Sequence, residues 1–549
     1  MRTPDEFSCY VKDLLVGTYD CMDRLLLRAY FPMGQTSGGV LTWWEALHPG
    51  TRPTEKALRA MAGDVGRRVK AYCQKRQIPI HYCEVGDKTK HAQAERLLPR
   101  EPNFQGVFAV FVAKAPAPVW QVRTSRRGKL LLCRPKNWPL VYHYHFHIVD
   151  KQWGHITIRM SGHPPFGVQI ALNGHEWLEH QAGRQAILSV KQGNSFVAGS
   201  DLDGINRLAE NLEDDHGLAQ LQKVCDRWIY SACLCFALTR QEQERSGFWY
   251  AYSCAQLEYS RNLIFKSGRR LDEVYQGLID RTRSLLDVPR LKTIFGRKNR
   301  PYHTSKRRGR LEKMLDQSIY NLTVLKLHFG RLTIKMYDKG ARLLRVEIIV
   351  NDVGELHCGR RLQKITGVFE RLQQMLIEFL NVVQAAHISF LDCGKLDTLP
   401  EPTSRGNQRL AGVDLQKPRV RAVAEAVVAL AAQPAGFTAQ ELAERVRTQQ
   451  GPKMAKYAVR NAAYDLRKLR GKALVRRIEN TRRYRVRRPG VAALAALLIL
   501  REKVLKPVLA GVCRRKPGRP PNPIHPIDAH YRSLQREMYA TLQTLKLAA

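Results

Sequence analysis

None of the twelve cysteines in this sequence forms a CxxC pair; the closest two are Cys233 and Cys235. That spacing excludes a zinc-finger framework and fits buried thiols in a reducing compartment. Long apolar runs are missing too. The longest, Val491 to Leu500, is ten residues, well short of the roughly 20 a spanning helix needs. The start, MRTPDEFSCYVKD, has no apolar segment after its single early arginine. Neither a membrane partner nor a secretory signal is expected, and the expected location is cytoplasmic and nucleoid-associated. Acidic residues are also scarce: 49 Asp and Glu stand against 90 Lys and Arg, a formal charge of +41. Such a chain repels itself unless a polyanion neutralises it, so nucleic acid is the expected partner, DNA before RNA. With 549 residues and 44% hydrophobic content, there is enough apolar surface for several cores.

The most informative stretch is Val141 to His180. In Val141 to Asp150 the side chains alternate, placing His143, His145 and His147 on one strand face and Tyr142, Tyr144, Phe146 and Ile148 on the other, the expected core. In GHITIRM (Gly154 to Met160), Ile156, Ile158 and Met160 point inward and His155, Thr157 and Arg159 outward; GRLTIKM (Gly330 to Met336) repeats this 176 residues later, with Lys335 outward. A third apolar segment follows each copy, at Val168 to Leu172 and at Leu344 to Val350. The expectation is a duplicated antiparallel three-stranded unit with a basic outer face on each copy.

Around these repeats, Tyr10 to Phe31 and Thr54 to Gln77 show three- and four-residue apolar spacing and are expected to be helices, stapled by Trp43 and Trp44. IPIHYCE, KTKHAQAERLLP and GVFAVFVAKA predict strand, helix, strand. Asp201 or Asp203 is expected to cap a helix ending near Leu212, and His216 to Gly247, Trp249 to Ser267, Leu271 to Phe295 and Gly359 to Ala386 are expected to be helical. Gly296 to Arg310 holds seven Lys or Arg in fifteen residues, and its Arg307 and Arg308 are expected to contact phosphate. The expected segments are 1–76, 77–200, 201–295, 296–316, 317–390, 391–417, 418–489 and 490–549.

Residues 411–549 hold 29 Lys and Arg against 9 Asp and Glu. Thr438 and Glu441 form a capping box opening a second helix. In Ala455 to Leu469 an apolar stripe leaves Lys456, Tyr457, Arg460, Asn461, Arg467 and Lys468 outside, with Lys453 just before it. ALVRRIENTRRYRV then predicts a hairpin carrying Arg482 and Arg483. Together these resemble a winged-helix domain, which implies that the third helix enters a DNA groove while the hairpin touches backbone. RRKPGRPP, with Arg515, Lys516 and Arg519, partly resembles an AT-hook.

Three patterns bear on catalysis. His145, Phe146 and His147 resemble the paired histidines of HUH endonucleases, which implies Mg²⁺ or Mn²⁺ held by His145 and His147. A downstream nucleophile would come from Tyr252 or Tyr259, which share a face if their segment is a helix. IKMYDKGARLLRVE resembles the strand pair of rolling-circle replication initiators, which implies metal binding by Glu347 and DNA contact by Lys335 and Arg345; the later tyrosine of that family is absent. HEWLEH departs from HExxH because His180 is five residues after His175 rather than four. YDCMDRLLLRAYFPMGQT, WGHITIRMSGHPPFGVQIALNGHEW and IKMYDKGARLLRVE resemble a family of uncharacterised bacterial proteins. The expectation is a multidomain α+β protein: helical N-terminus, duplicated platform around a helical middle, and C-terminal winged helix. In the leading reading it would bind nucleic acid and serve a mobile DNA element, with a metal-dependent nickase or a transcription regulator as alternatives.

Overall fold

A computed structural model describes residues 5–274 and 323–499, apart from 85–89, 102, 125–129, 330, 388–397 and 406–407, with scattered residues from 501 to 540. The fold is mixed α+β and divides into two compact units, one of Val16–Ile264 with Gly330–Gln373 and one of Met1–Leu15, Phe265–Phe329 and Gln374–Ala549. The first therefore draws on the N-terminal, middle and both repeat segments, which the sequence separates.

That unit is built on a mixed sheet. Its strands are β1 (Leu15–Tyr30), β2 (Ile80–Cys83), β3 (Gly106–Pro116), β4 (Leu140–Asp150), β5 (Gly154–Ser161), β6 (Val168–Asn173), β7 (Ala251–Phe265), β8 (Leu332–Asp338) and β9 (Leu343–Val350). They lie side by side in the order β8, β9, β7, β1, β6, β5, β4, β3, β2. β2 and β3 are parallel, as strands joined through the helix Lys90–Arg96 should be. The two hairpins β5–β6 and β8–β9 are antiparallel, and the third strand of each copy pairs antiparallel with a long strand, β6 with β1 and β9 with β7. The copies differ in register: Ile158 faces Ile170, whereas Ile334 faces Ile348, two residues further along the third strand.

β1 and β7 overturn two expected helices. Most of residues 10–31 and 249–267 form central strands, Leu15–Tyr30 and Ala251–Phe265, because they are covered on both sides, and a doubly buried strand loses its two-residue alternation. Tyr19 to Asp23 are buried in an unbroken run, as are Tyr259 to Phe265. Their apolar residues therefore imitate helical spacing. Elsewhere local chemistry sets the helix ends, with Asp201 capping as expected. Thr54 caps α2 (Glu55–Arg76), after α1 (Ser37–Leu47), through its side-chain oxygen. Asn173 caps α3 (Gly174–Arg184), Asp201 caps α4 (Leu202–Glu213), and Asp214 caps α5 (Asp215–Ala232). Trp43 and Trp44 are buried, with Trp43 edge-on to Phe31, which stacks on Phe248. The expected Gly359 to Ala386 helix is α6 (Ile365–His387), starting after a 3-10 turn at Leu362–Lys364.

In the second unit, α7 (Pro418–Leu430), β10 (Phe437–Thr438), α8 (Ala439–Gln450), α9 (Val459–Gly471), β11 (Val475–Arg477) and β12 (Arg483–Val486) follow in order. The strands make a small sheet ordered β10, β12, β11. The capping box forms: Thr438 Oγ1 accepts from Glu441 N–H at 3.1 Å, and Glu441 accepts from Thr438 N–H at 2.6 Å. Val423, Val427, Leu442, Val446, Leu466 and Leu469 fill a common core. Among the described residues no helix is long and apolar enough to cross a membrane.

Candidate nucleic-acid interface

Directly opposed residues on neighbouring strands point to the same side of a sheet. Following the ladder gives one row, His81, Phe111, His145, Arg159, Gln169 and Arg28, across β2, β3, β4, β5, β6 and β1. The histidine face is thus real and continues into two arginines. At its β1 end a cleft of about 500 Å³ is lined by Arg28, Arg134, Arg159, His143, His163 and Gln169 among others, with no Asp or Glu. Its size lies within the few hundred Å³ usual for ligand sites. Arg134 is pinned, donating to the Gly34 carbonyl at 2.7 Å with its guanidinium 4.6 Å from the Trp120 ring centroid. Arg159 is half-buried and Arg28 exposed, and neither has a carboxylate partner among the described residues.

Burial and then the Arg159 charge push His143 down to about 4 and His145 down to about 3; burial also lowers His163. At neutral pH these imidazoles are uncharged, so the positive field of the cleft comes from guanidinium groups. Arg159 is itself lowered by burial, but an arginine remains charged. A planar guanidinium with no carboxylate beside it suits a phosphate oxygen pair.

The same surroundings do not suit a divalent cation at His145 and His147. Arg159 faces His145 across the ladder, while His147 Nδ1 is 3.0 Å from His155 Nε2 and 3.3 Å from Thr157 Oγ1. No carboxylate joins them among the described residues in a metal-like cluster. The expected nucleophiles are also displaced. On a strand, residues seven apart face opposite ways, and both tyrosines are buried. Tyr252 donates to Asp226 at 2.5 Å and Tyr259 to Glu213 at 3.2 Å. Burial and the Asp226 carboxylate raise Tyr252 far above the usual phenol range. Tyr252 and Tyr259 hold the core together rather than stand at a surface.

The Arg-x-Glu pair of the second repeat is likewise internal. Arg345 is buried, ion-paired with Asp23, and donates to Asn194 O at 2.5 Å and Ser195 Oγ at 3.0 Å. Glu347 lies 3.9 Å from Arg345, 3.6 Å from Lys335, and accepts from Tyr337 at 3.4 Å. The outward basic face expected of this copy is largely engaged by carboxylates: Arg331 is exposed but paired with Asp352, Lys335 lies beside Glu347, and Arg345 does not reach a surface. Asp23 also lies 3.1 Å from His175 Nδ1 and accepts from Ser260 Oγ at 3.0 Å. Cys21, Asp23 and His175 offer ligand atoms within 4.8 Å of one another, the one such group of three among the described residues. These donors are softer than Mg²⁺ or Mn²⁺ prefers, and Arg345 already neutralises Asp23.

On α9, Arg460 and Arg467 are exposed, as are Lys456 in the turn before it and Arg482 between β11 and β12. Three other expected contacts turn inward. Tyr457 is buried and donates to Asp465 at 2.8 Å, Lys468 is buried 3.9 Å from the same carboxylate, and Asn461 Oδ1 accepts from Ala458 N–H at 3.3 Å at the helix start. Arg483 donates to Ala435 O and Gly436 O at 2.9 and 3.0 Å, holding the hairpin to the preceding turn. Arg307, Arg308, Arg515, Lys516 and Arg519, and the side chain of Lys453, lie outside the described residues.

Arg28 and Arg134 were not singled out in the sequence. Reading residues 15–30 as a strand would have placed Arg24, Leu26 and Arg28 on one face; Arg134 carries no comparable signal. Compared with family models, curated proteins and solved structures, the chain matches none.

Proposed function

We propose that this protein binds nucleic acid, DNA in preference, and that the sheet cleft between Arg28, Arg134 and Arg159 receives backbone phosphate. The observation carrying this reading is a cleft with three arginines and no carboxylate, in a chain of formal charge +41. Nonspecific affinity then comes from counterion release. Replacing Arg28 and Arg159 together with alanine is expected to weaken binding by roughly tenfold on any sequence. Fluorescence anisotropy with labelled DNA measures it, and unchanged affinity would remove the cleft from the interface.

The second unit supports a winged-helix reading: helix, short strand, two helices and a hairpin, with a sheet ordered β10, β12, β11. In it α9 is the recognition helix and the loop bearing Arg482 is the wing. Arg460→Ala with Arg467→Ala is expected to reduce discrimination between sites by about 1–3 kcal/mol, whereas Arg482→Ala weakens all sequences alike. Competition titrations separate the two. Equal losses on every sequence from both variants would contradict the assignment of α9.

A further inference from the structure

On the opposite face from the histidines, β4 carries Tyr142 and Tyr144, and the sheet passes beneath α2. Val112 faces Tyr144 on β4 and Tyr82 on β2, so these two tyrosines share one row, two strands apart, about 10 Å. Tyr142 lies one alternation further along β4, about 7 Å from Tyr144. These are not simply core. Tyr82 is 72% exposed and Tyr142 is 50% exposed. The Lys114 ammonium lies 5.0 Å from the Tyr142 ring centroid.

The rings remain open because of what α2 presents to them. A helix lying on a sheet ordinarily fills the gap with branched aliphatic side chains. Here the residues beside the tyrosines are Ala62, Gly63 and Gly66, and a groove of about 690 Å³ remains between helix and strands. A Cβ at Gly63 would meet only the Arg67 side chain, at 3.4 Å. The rim on the helix side is basic: Arg59, Arg67 and Lys70 line the groove and are exposed. Glu55, which also lines the groove and accepts from Val122 N–H, pairs with Arg59, and Asp64 pairs with Arg67; both guanidinium groups are largely exposed, and such pairs are weak enough to yield to phosphate. Lys70 has no carboxylate partner among the described residues.

We infer that this groove binds single-stranded DNA, two bases stacking on the exposed rings of Tyr82 and Tyr142 above the buried Tyr144 while the backbone follows Arg59, Arg67 and Lys70. Stacking on an aromatic needs an open base face, which a paired duplex hides and a single strand offers. Aromatic rings beside a line of cations are the two parts of a sequence-tolerant single-strand site. The arginine cleft of the proposed function is lined by Trp138 and Tyr30 but lacks a pair of exposed tyrosines in neighbouring rows, so the groove is assigned base stacking and the cleft phosphate capture. The inference rests on the nucleic-acid reading above.

The test uses the full chain and anisotropy titrations with a labelled oligothymidylate of roughly 15 nucleotides and a hairpin duplex of similar size. Tyr82→Ala with Tyr142→Ala is expected to weaken the single strand by at least about tenfold while changing the duplex less than about twofold. Gly63→Leu fills the groove at a position where leucine also has the better helix propensity, so it should fold normally and produce the same selective loss. If wild-type protein binds neither probe, the nucleic-acid reading fails and this inference with it. If wild-type protein binds the single strand and both variants bind it unchanged, or lose single strand and duplex equally, the groove is not the stacking site and the proposed function stands without it.

Discussion

Replacing Arg345 with alanine is expected to lower stability by about 3–5 kcal/mol, because it strands a buried carboxylate. Arg345 and Asp23 are both fully enclosed, and the guanidinium also satisfies Asn194 O and Ser195 Oγ. Burial alone would raise the Asp23 pKa, but Arg345 and His175 outweigh it and hold the carboxyl below its ordinary range. Removing the guanidinium leaves the buried carboxylate with only His175 and Ser260 to offset the burial cost. Removing the charge as well, with Asp23→Asn in the Arg345→Met background, should recover a large part of the loss, since no unpaired ion remains. Chemical denaturation midpoints at constant slope read both effects. A loss below about 1 kcal/mol in Arg345→Ala would contradict the enclosed ion pair.

The second large effect is acid lability that begins near pH 6. His143 and His145 titrate at about 4 and about 3 in the folded protein, chiefly through burial, against 6.5 when unperturbed. A histidine lowered on folding contributes stability above its unfolded pKa, and that contribution disappears as pH falls and the unfolded chain takes the proton first. Between pH 6.5 and 4 each should cost about 2 kcal/mol, allowing for partial screening by water. Melting temperature should fall steeply across this window, and His145→Gln should make the fall shallower. A melting temperature flat from pH 7 to pH 4 would contradict the burial of these imidazoles. Asp23 adds a further loss only at lower pH, below the ordinary carboxylate range of about 4.

Much of the half-buried architecture could be read from residue order alone. Alternation at His143, His145 and His147, the strand, helix, strand order from Ile80 to Pro116, and the Thr438 box all depend on neighbours a few residues away. β1 and β7 do not. Their direction is set by strands roughly eighty residues or more distant, and burial on both faces removes the alternation that would have revealed them. The same loss of signal misplaced Tyr252 and Tyr259 on one helical face. The resemblance to the strand pair of rolling-circle replication initiators implied DNA contact by Arg345, and only Asp23, arriving on β1, turns it into a core residue. Alternation alone places Tyr142 in the core with Phe146 and Ile148. Its exposure follows from Gly63 and Gly66 on α2, a distant helix whose small residues leave the groove unfilled.

The central claim is that phosphate is captured by arginines in the sheet cleft, and the salt dependence of DNA affinity tests it most directly. The logarithm of the association constant, plotted against the logarithm of salt concentration, should fall linearly and steeply for the wild-type chain. For Arg28→Ala with Arg159→Ala the slope should be shallower by about two, one for each phosphate contact removed. A salt-independent affinity, or identical slopes for the two proteins, would contradict it.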